Sequence, residues 1–228
     1  MSRKAIYRLS AVISGISGII ILIGVLYPIL SYNSVYSPRF QKLISPVNES
    51  LPKVSGQSTF DDTQASTWFP GAAQKEAFST SKVEYYTISI PKLKIDSASV
   101  AIGGEDLSKS LIQYPGTALP GKRGNSVIFG HSILPIFYNP KEYISIFSLL
   151  PTLKTGDDIF INYDGVSYTY RVETMFEVRP TDIQVLEQDT SDSFLTLVTC
   201  TPPGDPTKPK RLIVRARVVL PDQNQTID

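Results

Sequence analysis

The chain has 228 residues, 42% hydrophobic and 19% charged, a balance that supports a packed core and excludes global disorder. Its 22 Lys and Arg against 21 Asp and Glu leave a net charge of +1, which excludes the basic stripe expected of a nucleic-acid binder. With one cysteine, Cys200, and one histidine, His131, there is neither an intramolecular disulfide nor a zinc site built from Cys and His alone.

The chain opens with a basic stretch, residues 1–8, carrying Arg3, Lys4 and Arg8. Residues 9–30 then carry no charge and consist mostly of Ile, Leu, Val, Gly and Ser. As a helix this run would span roughly 33 Å, enough for a bilayer core of about 30 Å. The next charge is Arg39, so the positive-inside rule predicts a cytoplasmic N-terminus and an exported remainder. An uncleaved anchor is preferred to a cleaved signal peptide. The run exceeds a signal peptide's apolar core, and Tyr27 to Asn33 offers no clear small-x-small cut.

Residues 31–83 are rich in Ser, Thr, Pro, Gln and Asn and are read as an extracytoplasmic stalk. The aromatic pair Trp68-Phe69 is read first as incidental to a solvated linker, with docking on the domain as the alternative. Asn48-Glu49-Ser50 and Asn224-Gln225-Thr226 match a glycosylation acceptor weakly.

Residues 84–220 read as one domain, followed by a short polar tail at 221–228. Tyr85 to Ile90, Ser97 to Ile102 and Ser126 to Phe129 have strand character. Asp158 to Tyr163 and Val166 to Val172 flank Asp164-Gly165, a strong hairpin signal. Phe194 to Thr199 and Arg211 to Val219 complete the set, and helical spacing shows only near Ile144, Phe147 and Leu150. The expectation is a mainly β protein, a closed or nearly closed barrel with one or two short helices.

The chemistry rests on Cys200 and His131. Each lies just past an apolar strand, Cys200 before Thr201-Pro202-Pro203-Gly204 and His131 after Gly130. Together they suggest a nucleophile with an acid/base partner, at a barrel mouth where the thiol would be accessible. Arg211 opens the next strand and would flank Cys200 if the strands pair. A guanidinium there suits an oxyanion or a substrate carbonyl. Lys210, Arg215 and Arg217 compete for that role. With unperturbed groups, only about one per cent of molecules at pH 7 would hold thiolate and imidazolium together.

Thr196-Leu197-Val198-Thr199-Cys200, followed by Arg211 after a proline-rich loop, resembles the T-L-x-T-C…R signature of sortases. Gly116 to Gly121 and Gly124 to His131 resemble the segment before the sortase histidine. The resemblance covers about Tyr85 to Val219. It implies an eight-stranded sortase-type barrel and a cysteine transpeptidase that needs no cofactor. Such an enzyme cleaves a C-terminal LPxTG-like sorting signal through a thioester and passes the protein to an amine on a cell-wall precursor or a pilin. Carried over, Cys200 is the nucleophile, His131 the proton donor and acceptor, and Arg211 the oxyanion or signal partner. Thr199 would line the pocket. The loop from Glu177 to Asp192 would cover one side of the groove.

The partners implied are surface proteins bearing the signal, the amine acceptor and the lipid bilayer. The Asp-Pro-aromatic lid of pilus-building relatives is absent, Ser66 to Pro70 being the nearest stretch, so wall attachment is expected over pilin polymerisation. No metal site is expected, the acids Glu105, Asp106, Glu187, Asp189 and Asp192 being read as solvated. The rival readings are a non-catalytic membrane-anchored β-domain with an inert, buried Cys200, and a plain protease in which water resolves the thioester.

Overall fold

The computed structural model describes residues 3–42, 63–70, 72 and 84–219. Both glycosylation matches, much of the predicted stalk and the 221–228 tail lie outside the described residues. Helix α1, Arg3–Ser31, holds the apolar run and is long and apolar enough to cross a membrane. A π turn, Tyr32–Tyr36, and a 3-10 turn, Ser37–Arg39, continue from it.

Nine strands follow among the described residues: β1 Gln41–Lys42, β2 Glu84–Ile90, β3 Ile95–Ile102, β4 Leu111–Gln113, β5 Gly124–Phe129, β6 Asp158–Tyr163, β7 Val166–Val178, β8 Ser193–Thr201 and β9 Lys210–Val218. Their order is β1-β7-β6-β2-β3-β4-β5-β8-β9. The additional pairing of β7 with β9 closes eight of them into a barrel, and β1 is a two-residue parallel appendage on β7. The expected barrel is therefore present. The short helices expected beside it are 3-10 turns only, within residues 84–219. Near Ile144 to Leu150 the apolar spacing serves a run of turns that buries Ile146, Phe147 and Leu150.

Local sequence explains the connections. Asp164 and Gly165 both take positive φ, 51° and 74°, as a two-residue hairpin of that twist demands. Strand β7 runs six residues beyond the predicted Val172, through a register shift between Val172 and Thr174. The shift breaks the sequence alternation where the strand changes partners along its length.

Every residue of β8 is buried. Leu195 and Leu197 face one apolar cluster inside the barrel, with Ile88, Val100, Ile128 and Val214. Val198 and Cys200 belong to a second cluster with Val127, Phe129 and Ile213. Burial on both faces makes β8 read as a continuous apolar run, and period two assigns Cys200 to the outer wall of the barrel.

The start of the predicted stalk packs on the barrel instead. Tyr32 and Ser37 donate hydrogen bonds to the buried Glu177 carboxylate at 2.8 and 2.9 Å, and Phe40 is buried. Lys210 adds an ion pair to the same carboxylate at 2.8 Å. A buried carboxylate must be paired, and here the chain just past the helix supplies two of the donors.

Gly130, between β5 and His131, has no room for a side chain: a Cβ there would overlap Phe147 and Leu111. Gly130→Ala is expected to lower stability by about 1–3 kcal/mol through overpacking, seen as a fall in Tm in thermal unfolding.

Candidate active site

Antiparallel pairing of β8 with β9 sets Cys200 directly opposite Arg211, so the two side chains share one face of the sheet. Parallel pairing of β5 with β8 sets Phe129 beside Val198, two residues before His131 and Cys200 respectively. Beyond the strand end the alignment is held by side chains. The Gly130 amide donates to the Val198 carbonyl at 3.1 Å, and the Thr199 hydroxyl donates to the Gly130 carbonyl at 2.8 Å. The Ser132 hydroxyl donates to the Cys200 carbonyl at 2.7 Å. The Phe147 amide donates to the His131 carbonyl at 2.9 Å. The structure therefore brings Cys200, His131 and Arg211 to one end of the β5–β8–β9 wall.

Thr199 lies on the opposite side of β8 from Cys200 and is fully buried. Its hydroxyl is committed to Gly130, so it fastens the histidine's approach and presents no surface to a groove. The rival cations are committed too. Lys210 pairs with Glu177, Arg217 pairs with Glu173 at 2.8 Å, and Arg215 donates to Thr196 at 3.4 Å.

The thiol is not accessible as its position past a strand suggested. Cys200 is 2% exposed, His131 7% and Arg211 3%. The cover is the segment around Trp68. Trp68, itself 1% exposed, lies edge-on to His131 with ring centroids 5.7 Å apart and stacks on Phe129 at 5.4 Å. The Arg211 guanidinium stands 5.4 Å from the centre of the indole and donates from Nη2 to the Trp68 carbonyl at 3.3 Å. Its Nη1 donates to the Lys208 and Lys210 carbonyls at 2.9 and 3.2 Å, while the buried Nε has no hydrogen-bond partner among the described residues. With three of its five donors used, this guanidinium keeps Nε–H and one Nη2–H for an incoming acceptor.

The aromatic pair, read first as incidental to a linker, thus docks on the domain. The Ala65 amide donates to the Glu105 carbonyl at 3.0 Å, the Leu107 amide donates to the Thr63 carbonyl at 2.8 Å, and Ser66 bonds the Glu105 carboxylate. Glu105 and Asp106, read as solvated acids, have structural duties. Glu105 clips this segment down, and Asp106 pairs with Lys109 at 2.8 Å. On the other flank, the 3-10 turn Ile183–Leu186 places Val185 in the same cluster as Cys200 and Trp68. The signal for docking was the rarity of the residue. A lone tryptophan beside a phenylalanine carries more apolar surface than a solvated tether tolerates.

The docked segment is held by the burial of Trp68 and Phe69 and by a few hydrogen bonds, and it is separate in sequence from the barrel strands that it covers. Trp68→Ala is expected to speed alkylation of Cys200 by a neutral thiol reagent several-fold at constant pH, followed by intact-mass spectrometry. An unchanged rate would mean that another element limits access.

Comparison with known proteins gives the family. Residues 88–219 match the family model described as the sortase domain. Sortase A of Streptococcus agalactiae is 27% identical over 142 residues, 62% of this chain. The match spans only 55% of that relative's length. A lid mutant of sortase A from Corynebacterium diphtheriae superposes with a TM-score of 0.53 at 30% identity, over 64% of this chain and 76% of that one. Sortase C-1 of Actinomyces oris gives 0.52 at 27% identity, over 62% and 76%. The matched region contains the whole barrel wall that carries Cys200, His131 and Arg211, and the chain belongs to the sortase family.

Proposed function

We propose that this chain is a cysteine transpeptidase that cleaves a C-terminal LPxTG-like sorting signal and joins the protein to an amine on a cell-wall precursor or a pilin. The observation that carries the reading is the cross-strand pair Cys200–Arg211 with His131 at the end of the adjoining strand. A structural barrel has no use for a buried guanidinium beside a lone thiol. Burial of Cys200 is also what a non-catalytic β-domain would show, but here the cover is a separable segment.

The chemistry follows from those groups. Cys200 Sγ, as thiolate, adds to the scissile carbonyl, and negative charge develops on the carbonyl oxygen. Arg211 donates to that oxygen or orients the signal beside it. Collapse breaks the C–N bond, and His131 gives its proton to the departing amine, leaving a thioester on Cys200. The acceptor amine then attacks the thioester, loses a proton to neutral His131, and expels the thiolate as the new amide forms. Water in place of the amine gives hydrolysis, so the outcome depends on which nucleophile enters. Thr199 supports the site from behind through Gly130 and does not touch substrate.

Trp68 occupies the space over Arg211 and His131 that a signal peptide would need. In this reading the segment from Thr63 to Pro70 serves as a lid although it lacks an Asp-Pro pair, and the lid named for the corynebacterial relative supports that assignment. Helix α1 is the membrane anchor, with Lys4 and Arg8 on the cytoplasmic side and the barrel outside. The surface proteins, the amine acceptor and the bilayer are the partners.

The test uses the full chain in detergent micelles with a panel of sorting-signal peptides and a small amine, read by mass spectrometry. A peptide–amine adduct is expected. Cys200→Ala abolishes it, His131→Ala lowers the rate by about 10²–10⁴, and Arg211→Lys by about 10²–10³. Cleavage without adduct would favour hydrolysis. No reaction by the Trp68→Ala variant with any peptide would overturn the enzyme reading in favour of a binding domain.

A further inference from the structure

We propose that the turn following His131 is a membrane-contact surface, lying in the lipid headgroup and upper acyl region beside the end of α1. The proposal rests on the reading of α1 as a membrane anchor.

Residues Pro135–Phe137 form a 3-10 turn whose backbone is fixed by the Phe137 amide donating to the Leu134 carbonyl at 2.9 Å. That turn holds two large apolar side chains outward: Ile136 is 65% exposed and Phe137 62%. Ile144 and, on the juxtamembrane π turn, Val35 are exposed too. None of these side chains belongs to the core or the candidate site. A fixed turn that presents adjacent Ile and Phe to solvent marks an interaction surface.

Position decides the partner. Pro135 and Ile136 line a cavity of about 280 Å³ together with Tyr27 and Pro28, which belong to the last turns of α1. Ile136 therefore stands beside residues of the apolar helix itself. Any bilayer that surrounds the end of α1 meets Ile136, with the exposed Phe137 next to it in sequence. Tyr27, exposed on the last turns of α1, and the partly exposed Tyr36 suit the membrane–water boundary.

Charge supports the same assignment. A neighbouring cavity of about 630 Å³ shares Tyr36, Pro151 and Thr152 with the first; its charged lining is Arg39, Lys92, Lys154 and one acid, Glu173, which pairs with Arg217. Lys92 is paired with Asp157 at 2.7 Å, whereas Arg39 and Lys154 are exposed. Apolar side chains beside exposed cations form the combination that binds an anionic lipid surface. The surface also joins the site, because Ser148 accepts from the Ile133 amide at 2.9 Å and Ser132 donates to the Cys200 carbonyl. Membrane contact would hold Cys200 and His131 close to the bilayer.

Site-directed spin labelling of the full chain tests this. Cys200→Ala removes the only native thiol. Single cysteines are then placed by Phe137→Cys and, independently, Ile136→Cys. Ile20→Cys in α1 serves as the lipid reference. Val166→Cys, at the start of β7 and paired with Tyr163 at the end of β6 away from Asp158, serves as the aqueous reference. The proteins are reconstituted in phosphatidylcholine vesicles with a minority of phosphatidylglycerol. Collision with oxygen and with a water-soluble nickel chelate is compared.

Labels at 136 and 137 are expected to favour oxygen over nickel several-fold more than the label at 166. Labels at 136 and 137 as aqueous as at 166, with 20 in lipid, would overturn the proposal and leave the anchor standing. An aqueous label at 20 would overturn the anchor reading and the proposal with it. Dipolar broadening at 137 that disappears on dilution with unlabelled protein would assign the turn to a second copy and overturn lipid contact.

Discussion

The pairing of β8 with its two neighbours is the constraint on which the rest depends. β8 is buried along its whole length, with parallel β5 on one edge and antiparallel β9 on the other. Register on such a strand is not negotiable, because a slip by one residue would send Leu195 and Leu197 out and Thr196 and Cys200 in. The same register that satisfies the core places Cys200 against Arg211 and brings the chain after β5 alongside. Fold energy thus brings the three groups together. A group that must meet substrate within a fraction of an ångström gains from being mounted on the least mobile strand available.

Much of this was legible in the sequence. The Asp164-Gly165 hairpin, the apolar runs of β5 and β8, and the two lone chemistry-bearing residues after those runs all point where the structure goes, because local chemistry dictates them. The order Cys200, proline-rich loop, Arg211 anticipated the cross-strand pair. Thr199 was harder. Its neighbour's role suggested a pocket residue, but period two puts adjacent residues on opposite faces, and Thr199 spends its hydroxyl on Gly130.

What the sequence hid lies in contacts made at long range. The lone Trp68 beside Phe69 hinted at docking, but the wall formed by β5, β8 and β9 and the Glu105 clip that hold it are distant in sequence and gave no signal. The three-residue β4 carries too little pattern to be seen alone. The juxtamembrane residues looked like tether because polar composition says only that a segment can be solvated. Tyr32 and Ser37 are held by a carboxylate some 140 residues away.

That buried carboxylate has a mechanical meaning. Glu177 sits on β7 and receives bonds both from the chain leaving the membrane helix and from Lys210, the residue before Arg211. A force applied to the anchor would therefore enter the barrel at the base of the strand that carries the arginine, not at a free-swinging linker. The barrel is bracketed to its anchor, and its tilt is shared with that of the helix. A bracketed enzyme trades reach for aim. Under the proposed function, such an enzyme surveys a thin layer next to the membrane that holds α1, and its partners come to that layer to be processed.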